Sequence, residues 1–296
     1  MKFFFVINPN SGKRRGPQLI NLIGRFCTQH QLPHEIWIWE ETTIDIASRI
    51  RQATDQGATH IVAVGGDGTV SHLAPALLHT DLTLCIIPNG TGNALSRVHG
   101  ISLNPQQALQ VLLDHEVYQM DIGTLDGRPF VSFAGFGIDA DVVHSFKEVK
   151  ERSIWRYFVL TVKHFLELRN EKVRINTPEG EHQWHVGLCS FLNIAQFGGG
   201  YTIAPGASSQ DAILDICGMR IFPLWDAPRV YAYVAAGKID KLPYYSRVRA
   251  RSATVTRQAA GKAQIDGDPV LVEQQMTLGV LPKALKLAVP KGSQPL

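Results

Sequence analysis

Four cysteines in 296 residues, none of them in a Cys-x-x-Cys pair, exclude a disulfide scaffold and a cysteine-based zinc framework. Cys27, Cys85, Cys189 and Cys217 lie far apart and read as buried thiols of a reducing compartment. No apolar run approaches the ~20 residues that a membrane-spanning helix needs. The apolar opening Phe3–Ile7 is too short even for a signal-peptide core, and Asn8-Pro9-Asn10-Ser11-Gly12 follows at once. Neither sign of charge dominates: 29 Lys and Arg stand against 26 Asp and Glu, a formal +3, which excludes a dedicated nucleic-acid binder. With 45% apolar and 19% charged residues, a disordered or coiled-coil chain is excluded as well. There is no GxxxxGK[ST], no GxGxxG after the first strand, no HExxH and no GxSxG, so the P-loop, dinucleotide, zincin and α/β-hydrolase readings lose their main support. The eleven histidines form no ligand-spaced cluster. The expectation is a cytoplasmic protein, with peripheral attachment at the inner membrane surface left open.

What is present is a change of texture along the chain. The first ~120 residues alternate short apolar runs with helical patterns, as a parallel α/β sheet does. Phe3–Ile7, Ile36–Trp39, Ile61–Val64 and Leu84–Ile87 read as strands. Leu19, Leu22, Ile23 and Phe26 recur at helical spacing, Ile44 to Ala53 reads as a helix capped by Thr42 or Thr43, and Asn104-Pro105 starts another helix through about His115. After Asp121 short strands and turns dominate: Phe130–Phe133, Val173–Asn176, Val186–Ile194, Ile213–Met219 and several pieces from Arg247 to Val280, interrupted by a helical patch around Ile154–Leu168. The expected fold is an α/β sandwich with a parallel-type sheet over residues 1–120, rejoined by about 282–296. A mostly antiparallel β domain over 121–281 carries a helical insertion near 150–170, and a nucleotide cleft lies between the two.

Three glycine-rich turns, Asn8–Gly12, Gly65–Thr69 and Gly90–Asn93, follow strands of the first half. Open α/β sheets bind ligands at the carboxyl ends of their strands, and glycines there let backbone N–H groups approach phosphate oxygens. One such turn is an ordinary connection; three together point to an anionic ligand, most simply a nucleotide. Asp67, between two glycines, either caps a helix or faces phosphate.

These residues resemble a known family. Gly65-Gly66-Asp67-Gly68-Thr69 resembles the GGDGT signature shared by diacylglycerol kinase-like and sphingosine kinase-like lipid kinases and by NAD kinases. The opening Asn8–Gly12 resembles the NPxSG of the lipid-kinase branch. Pro88–Asn93 with Arg97 resembles its PxGTxN…R segment, Met120–Gly123 its vDxG strand, and Gly135–Ala140 its GxGxDA. Asn193–Gly200 followed by Ala204-Pro205 resembles its N…GGG…AP run, and Asp266-Gly267-Asp268 sits where the family carries DGE. The resemblance spans residues 3 to 290 in family order, and it points to the soluble bacterial branch.

The resemblance implies an ATP- and Mg²⁺-dependent kinase that phosphorylates the hydroxyl of a membrane lipid such as diacylglycerol. Gly65, Gly66, Asp67, Gly68, Thr69, Val70 and Ser71 would wrap the ATP phosphates, with Asn8, Thr42, Gly90, Thr91 and Asn93 lining the nucleotide site. Asp67 and Asp121 would position the nucleotide and its Mg²⁺, and Asp268 would be the general base. Backbone oxygens of Ser208 and Ile213 with the Asp211 carboxylate would hold a separate Mg²⁺, although Asp211 also reads as an ordinary solvated loop acid. Bottom-up chemistry agrees, since phosphoryl transfer needs held phosphates, a hard cation and a carboxylate to take the acceptor proton. The chain departs from the family pattern at Ser71-His72 (for Asn-Glu), at Ala94 (for Asp), at Ala212 (for Gly) and at Asp268 (for Glu). An NAD kinase, or a non-catalytic nucleotide- or lipid-binding member of the fold, is the alternative reading. The lipid partner implies docking at a bilayer surface. Two candidates are the basic stretch Lys238–Arg257 with Tyr244 and Tyr245, and the aromatic helix near Ile154–Leu168; a solvated β surface and a packed helix are the plain alternatives.

Overall fold

Strands buried on both faces have to be apolar throughout, and β1 (Phe3–Ile7), β3 (His60–Gly65) and β4 (Thr83–Pro88) are buried at every position. The computed structural model describes residues 1–12, 16–39, 45–147, 160, 163–167 and 169–293. It divides into two compact units: Met1–Met120 with Gly198–Gly200 and Lys283–Leu296, and Asp121–Phe197 with Tyr201–Pro282.

In the first unit β1 is flanked by β2 (His34–Ile38) and β3, and β3 pairs with β4, all in parallel. The end of β16 (Gln275–Val289) runs parallel to β4, with Lys286 opposite Thr83. Helix α1 (Gly16–Gln29) buries Leu19, Ile23, Phe26 and Cys27, one stripe at helical spacing. Helix α2 (Ile46–Asp55) starts at Asp45, whose carboxylate accepts the Ala47 and Ser48 N–H groups. Asp45 is therefore the cap in place of Thr42 or Thr43, which lie outside the described residues. Helices α3 (Asp67–Leu73) and α4 (Ala94–Val98) follow β3 and β4. The helix expected from Asn104 to His115 is shorter: Asn104 caps α5 (Pro105–Ala108), and a 3-10 turn over Leu109–Leu112 replaces the rest. Leu109, Val111 and Leu112 are all buried there, and only Gln110 faces solvent, so the segment packs on several sides.

The second unit is an antiparallel sandwich. One sheet has the order β12-β11-β10-β7-β14-β15. Its strands are β7 (Phe133–Gly137), β10 (Leu188–Leu192), β11 (Leu214–Met219), β12 (Tyr245–Ala250), β14 (Gly261–Ile265) and β15 (Asp268–Val272). The facing strands are β8 (Glu171–Thr177), β9 (Gly180–Val186), β13 (Ala253–Thr256), the start of β16, and the end of β5 (Glu116–Leu125) with β6 (Arg128–Phe130). Phe130, Phe136, Phe191, Ile175, Val255 and Met276 fill the core between them. Two expected strands are split. Val131 and Ser132 leave the ladder because their N–H groups serve Asp266, and Gly187 interrupts Val186–Ile194 by bonding Met219 and Ile138. Two helices were not legible as such: α6 (Ile138–Lys147) and α7 (Ala227–Ala235). The four cysteines are buried and unbridged.

Candidate active site

At the carboxyl ends of β1, β3 and β4 the three glycine turns of the first unit hold one another. Asn8 donates its amide to Thr69 Oγ1 at 3.2 Å, and Asn89 donates its own to the Ser11 carbonyl at 2.7 Å. The Asn89 N–H reaches the Gly65 carbonyl at 2.7 Å. Asn93, left-handed at φ 48°, closes its turn by accepting the Gly90 N–H at 3.1 Å and donating to the Gly90 carbonyl at 2.8 Å. Gly12 is left-handed at φ 72°, and a Cβ there would stand 1.3 Å from the Asn89 carbonyl oxygen. A Cβ on Gly90 would meet the Gly66 Cα at 2.5 Å, so these turns are glycine because their backbones touch. Gly68 differs. It is exposed, its φ is ordinary, and a Cβ there meets nothing within 4 Å among the described residues.

Asp67 accepts the Ala94 N–H at 2.7 Å, and the N–H groups of Asn93 and Leu95 also face it. Burial raises its carboxyl above the ordinary aspartate value, against the pull of those N–H groups. Asp67 is thus the missing side-chain cap of α4, supplied from another turn. Arg97 donates to the Gly92 carbonyl at 3.0 Å, and the Gly199 N–H reaches the same oxygen at 3.2 Å. A cavity of about 360 Å³ opens beside these turns, lined by Thr91, Asn93, Arg97 and Asn104 among others.

The second unit carries its own framework. Asp121 is buried; its carboxylate accepts the Ala212 N–H at 2.7 Å and its N–H donates to the Ser209 carbonyl at 2.7 Å, which pins the 208–213 loop. Asn193, also buried, donates to the carbonyls of Asp121 and Val131, both at 2.8 Å. Asp266 accepts three successive N–H groups, from Val131, Ser132 and Phe133, at 2.7, 2.8 and 3.1 Å. With Asp266 at φ 48° and Gly267 at φ 86°, the two-residue turn of the β14–β15 hairpin delivers Asp268 as the first residue of β15. Gln264, fully buried, accepts the Gly267 N–H at 2.8 Å and donates to Asp139 at 3.2 Å. Burial pushes the Asp139 carboxyl up to about 6, against the Ala140 and Gln264 donors that lower it.

Two family models match this chain. Residues 2–125 match the diacylglycerol kinase catalytic domain, and residues 132–289 match the YegS C-terminal NAD kinase beta sandwich-like domain. This chain belongs to the diacylglycerol kinase-like lipid kinases. A "Probable lipid kinase YegS-like" of Pseudomonas aeruginosa (strain UCBPP-PA14) is 29% identical over 262 residues, covering 86% of this chain and 84% of that one. One of the same description from Chromohalobacter salexigens is 26% identical over 253 residues, covering 82% and 80%. A crystal structure described as a diacylglycerol kinase from Bacillus anthracis str. Sterne superposes with a TM-score of 0.76 at 18% identity, covering 99% of this chain and 98% of the other, a likeness of fold.

Within this lipid kinase the residues singled out from sequence fall into separate groups. Asn8, Gly65, Gly66, Asp67, Thr69, Gly90 and Asn93 come together and serve chiefly to lock the turns. Gly68 and Thr91 are exposed, Ser71 is half-buried, and Val70 is buried and can offer only its backbone. Thr42 lies outside the described residues. His72, one of the departures, bonds the Gly68 carbonyl at 2.6 Å and packs its ring 5.3 Å from that of Trp39. At the 208–213 loop, Asp211 accepts the Ile213 N–H at 3.1 Å and is ion-paired with Arg249. A cation held there with Ser208 and Ile213 would have to displace Arg249, so the residues as they stand do not fit one. Among the described residues no group of three or more His, Cys, Asp or Glu side chains could hold a metal. The sequence reading missed Asp266 and Gln264 as supports of Asp268. The signal was available for Asp266 alone, because an Asp-Gly pair between two strand patterns marks a hairpin turn.

Proposed function

We propose that this lipid kinase moves the γ-phosphoryl group of ATP onto the hydroxyl of a membrane lipid, diacylglycerol or a related lipid alcohol. The observation that carries the nucleotide half is Gly68. Glycine in a helical turn is disfavoured by ~1 kcal/mol relative to alanine, and among the described residues neither packing nor a left-handed φ asks for it here. A side chain is absent where a phosphate would approach the first turn of α3. The interlocked turns support a preformed cradle, because their geometry does not depend on a ligand. The fit extends to the donor chemistry: the backbone N–H groups of Gly66, Asp67 and Gly68 at the start of α3, the Thr91 hydroxyl and the Asn8 amide would hold the triphosphate, and Thr42, outside the described residues, is assigned to the same role by the sequence alone. When bound, ATP with its Mg²⁺ supplies the transferable group and offsets its charge.

In this reading Asp67 acts by holding α4 against the phosphate turn, and Asp121 by holding the 208–213 loop. Asp268 takes the proton from the acceptor hydroxyl, and the Asp266–Gly267 turn with Gln264 fixes where it stands. No step is assigned to a second cation at Asp211. The lipid acceptor is supported by the descriptions of the relatives as lipid kinases. Incubation of the protein with labelled ATP, Mg²⁺ and a total lipid extract, with NAD in a parallel tube, tests the reading. Label in an organic-phase lipid phosphate is expected; label in NADP, or in neither tube, would overturn it.

A further inference from the structure

A surface helix ordinarily turns its polar side to water. Helix α7 does not. Its inner face is apolar, with Val230 buried beside Ile239 and Leu242 and packed by Phe222, Tyr233 and Val234. Its outer face is apolar too. Leu224 is 55% exposed, Trp225 84% and Tyr231 61%, while Pro228, Ala232 and Ala235 are also exposed. Positions 224, 228, 231 and 235 are spaced by four, three and four, which is one helical stripe running from the 3-10 turn Leu224–Asp226 to the end of the helix. Tyr201, itself exposed, extends the stripe with its ring 6.1 Å from that of Tyr231. Arg229 is the one charged residue of α7.

The charge around this stripe is positive. Arg220, Arg229, Lys238 and Lys241 are exposed, against Asp226 and Asp240, and Arg229 is ion-paired with Asp226 at 3.8 Å. Asp226 is half-buried and accepts the Tyr244 hydroxyl. The two stretches expected from sequence serve less well. In Lys238–Arg257, Arg247 and Arg249 are ion-paired with Asp215 and Asp211, and Arg257 with Glu171. Tyr245 donates to the Ile203 carbonyl at 2.8 Å, and Tyr244 packs against Phe222. The helix near Ile154–Leu168 lies largely outside the described residues.

We propose that the outer face of α7, with Leu224 and Trp225 leading, is the surface by which this protein docks on an anionic lipid bilayer. The chemistry is that of an interfacial helix: an indole and a phenol at the boundary, small apolar residues between them, and lysines and arginines at the margin. The inference rests on the lipid-acceptor reading for its choice of a bilayer over a protein partner.

Co-sedimentation of the full chain with phosphatidylcholine vesicles, with and without phosphatidylglycerol, tests it, on the wild type and on a Leu224→Ser/Trp225→Ser double variant. Both substituted side chains are solvent-exposed, and an unchanged melting temperature checks that the variant folds. The wild type should bind the anionic vesicles preferentially and lose binding in high salt, and the variant should bind at least ~10-fold less. Phosphorylation of lipid presented in vesicles should fall with it, while phosphorylation of lipid in detergent micelles stays at the wild-type rate. Unchanged vesicle binding in the variant would overturn the proposal. So would a wild-type dimer in sedimentation velocity that the variant abolishes, because the stripe would then be a subunit interface. Failure of the wild type to phosphorylate any lipid in micelles would instead overturn the acceptor reading, and vesicle binding would be judged separately.

Discussion

His99 has no exposed surface, and neither of its ring nitrogens has a hydrogen-bond partner among the described residues. Its ring stands edge-on to Tyr118 at 4.5 Å between centroids, and burial lowers its pKa from 6.5 to about 4. The folded state therefore keeps the ring neutral. As pH falls through 6.5 the unfolded chain takes up a proton that the folded chain refuses, so stability declines between pH 6.5 and about 4, by on the order of 3 kcal/mol in full. His60, buried and likewise lowered to about 4, acts in the same direction. His99→Phe keeps an aromatic ring against Tyr118 and removes the unpaired nitrogens. Urea unfolding should show it more stable by ~1–2 kcal/mol at pH 7, with a flatter decline toward pH 4. An unchanged acid slope would show that His99 does not titrate as its burial requires. Asp67 is the second residue whose role depends on its surroundings. Its Gly-Asp-Gly setting was legible as a turn, with capping and phosphate contact as the alternatives. The helix it caps begins 27 residues later, and no local pattern could announce that pairing. Asp67→Ala should cost ~1 kcal/mol or more of stability through the lost cap, together with turnover, in thermal unfolding and kinase assays.

At the scale of elements, glycines from two of the interlocked turns make opposite predictions. Gly12→Ala places a side chain at a left-handed φ and into the Asn89 carbonyl, and should destabilise the protein by ~2 kcal/mol or more. Gly68→Ala meets no atom of the described residues and should raise stability by up to ~1 kcal/mol while raising the KM for ATP. Thermal unfolding and steady-state kinetics on the pair would read both effects, and a Gly68→Ala enzyme with native KM would remove the phosphate argument. The strands of the first unit were legible because β1, β3 and β4 are continuous apolar runs ending in glycine turns. Helix α7 was not, because Ala227–Ala235 is short, opens on Pro228 and carries apolar residues at exposed as well as buried positions. The splitting of Phe130–Phe133 was equally hidden, since it depends on the Asp266 carboxylate more than 130 residues away.

For the whole molecule, the texture change near Asp121 was visible as a shift from alternating helix and strand to short strands. The membership of Gly198–Gly200 in the first unit was not, because three residues leave no compositional mark. No described helix is long and apolar enough to cross a membrane. The ion pair at Asp211 bears on how the whole chain responds to metal. Mg²⁺ without nucleotide should leave the melting temperature of the wild type unchanged, whereas Arg249→Ala, which frees that carboxylate, should gain a Mg²⁺-dependent rise. A rise in the wild type would mean that Arg249 gives way to the cation. The central claim is tested most directly by transfer of label from ATP to lipid in micelles, comparing wild type with Asp268→Asn. The account predicts a labelled lipid phosphate from the wild type and a rate lower by ~10²-fold or more in the variant, with ATP affinity nearly unchanged. An Asp268→Asn enzyme that labels lipid at the wild-type rate would contradict it.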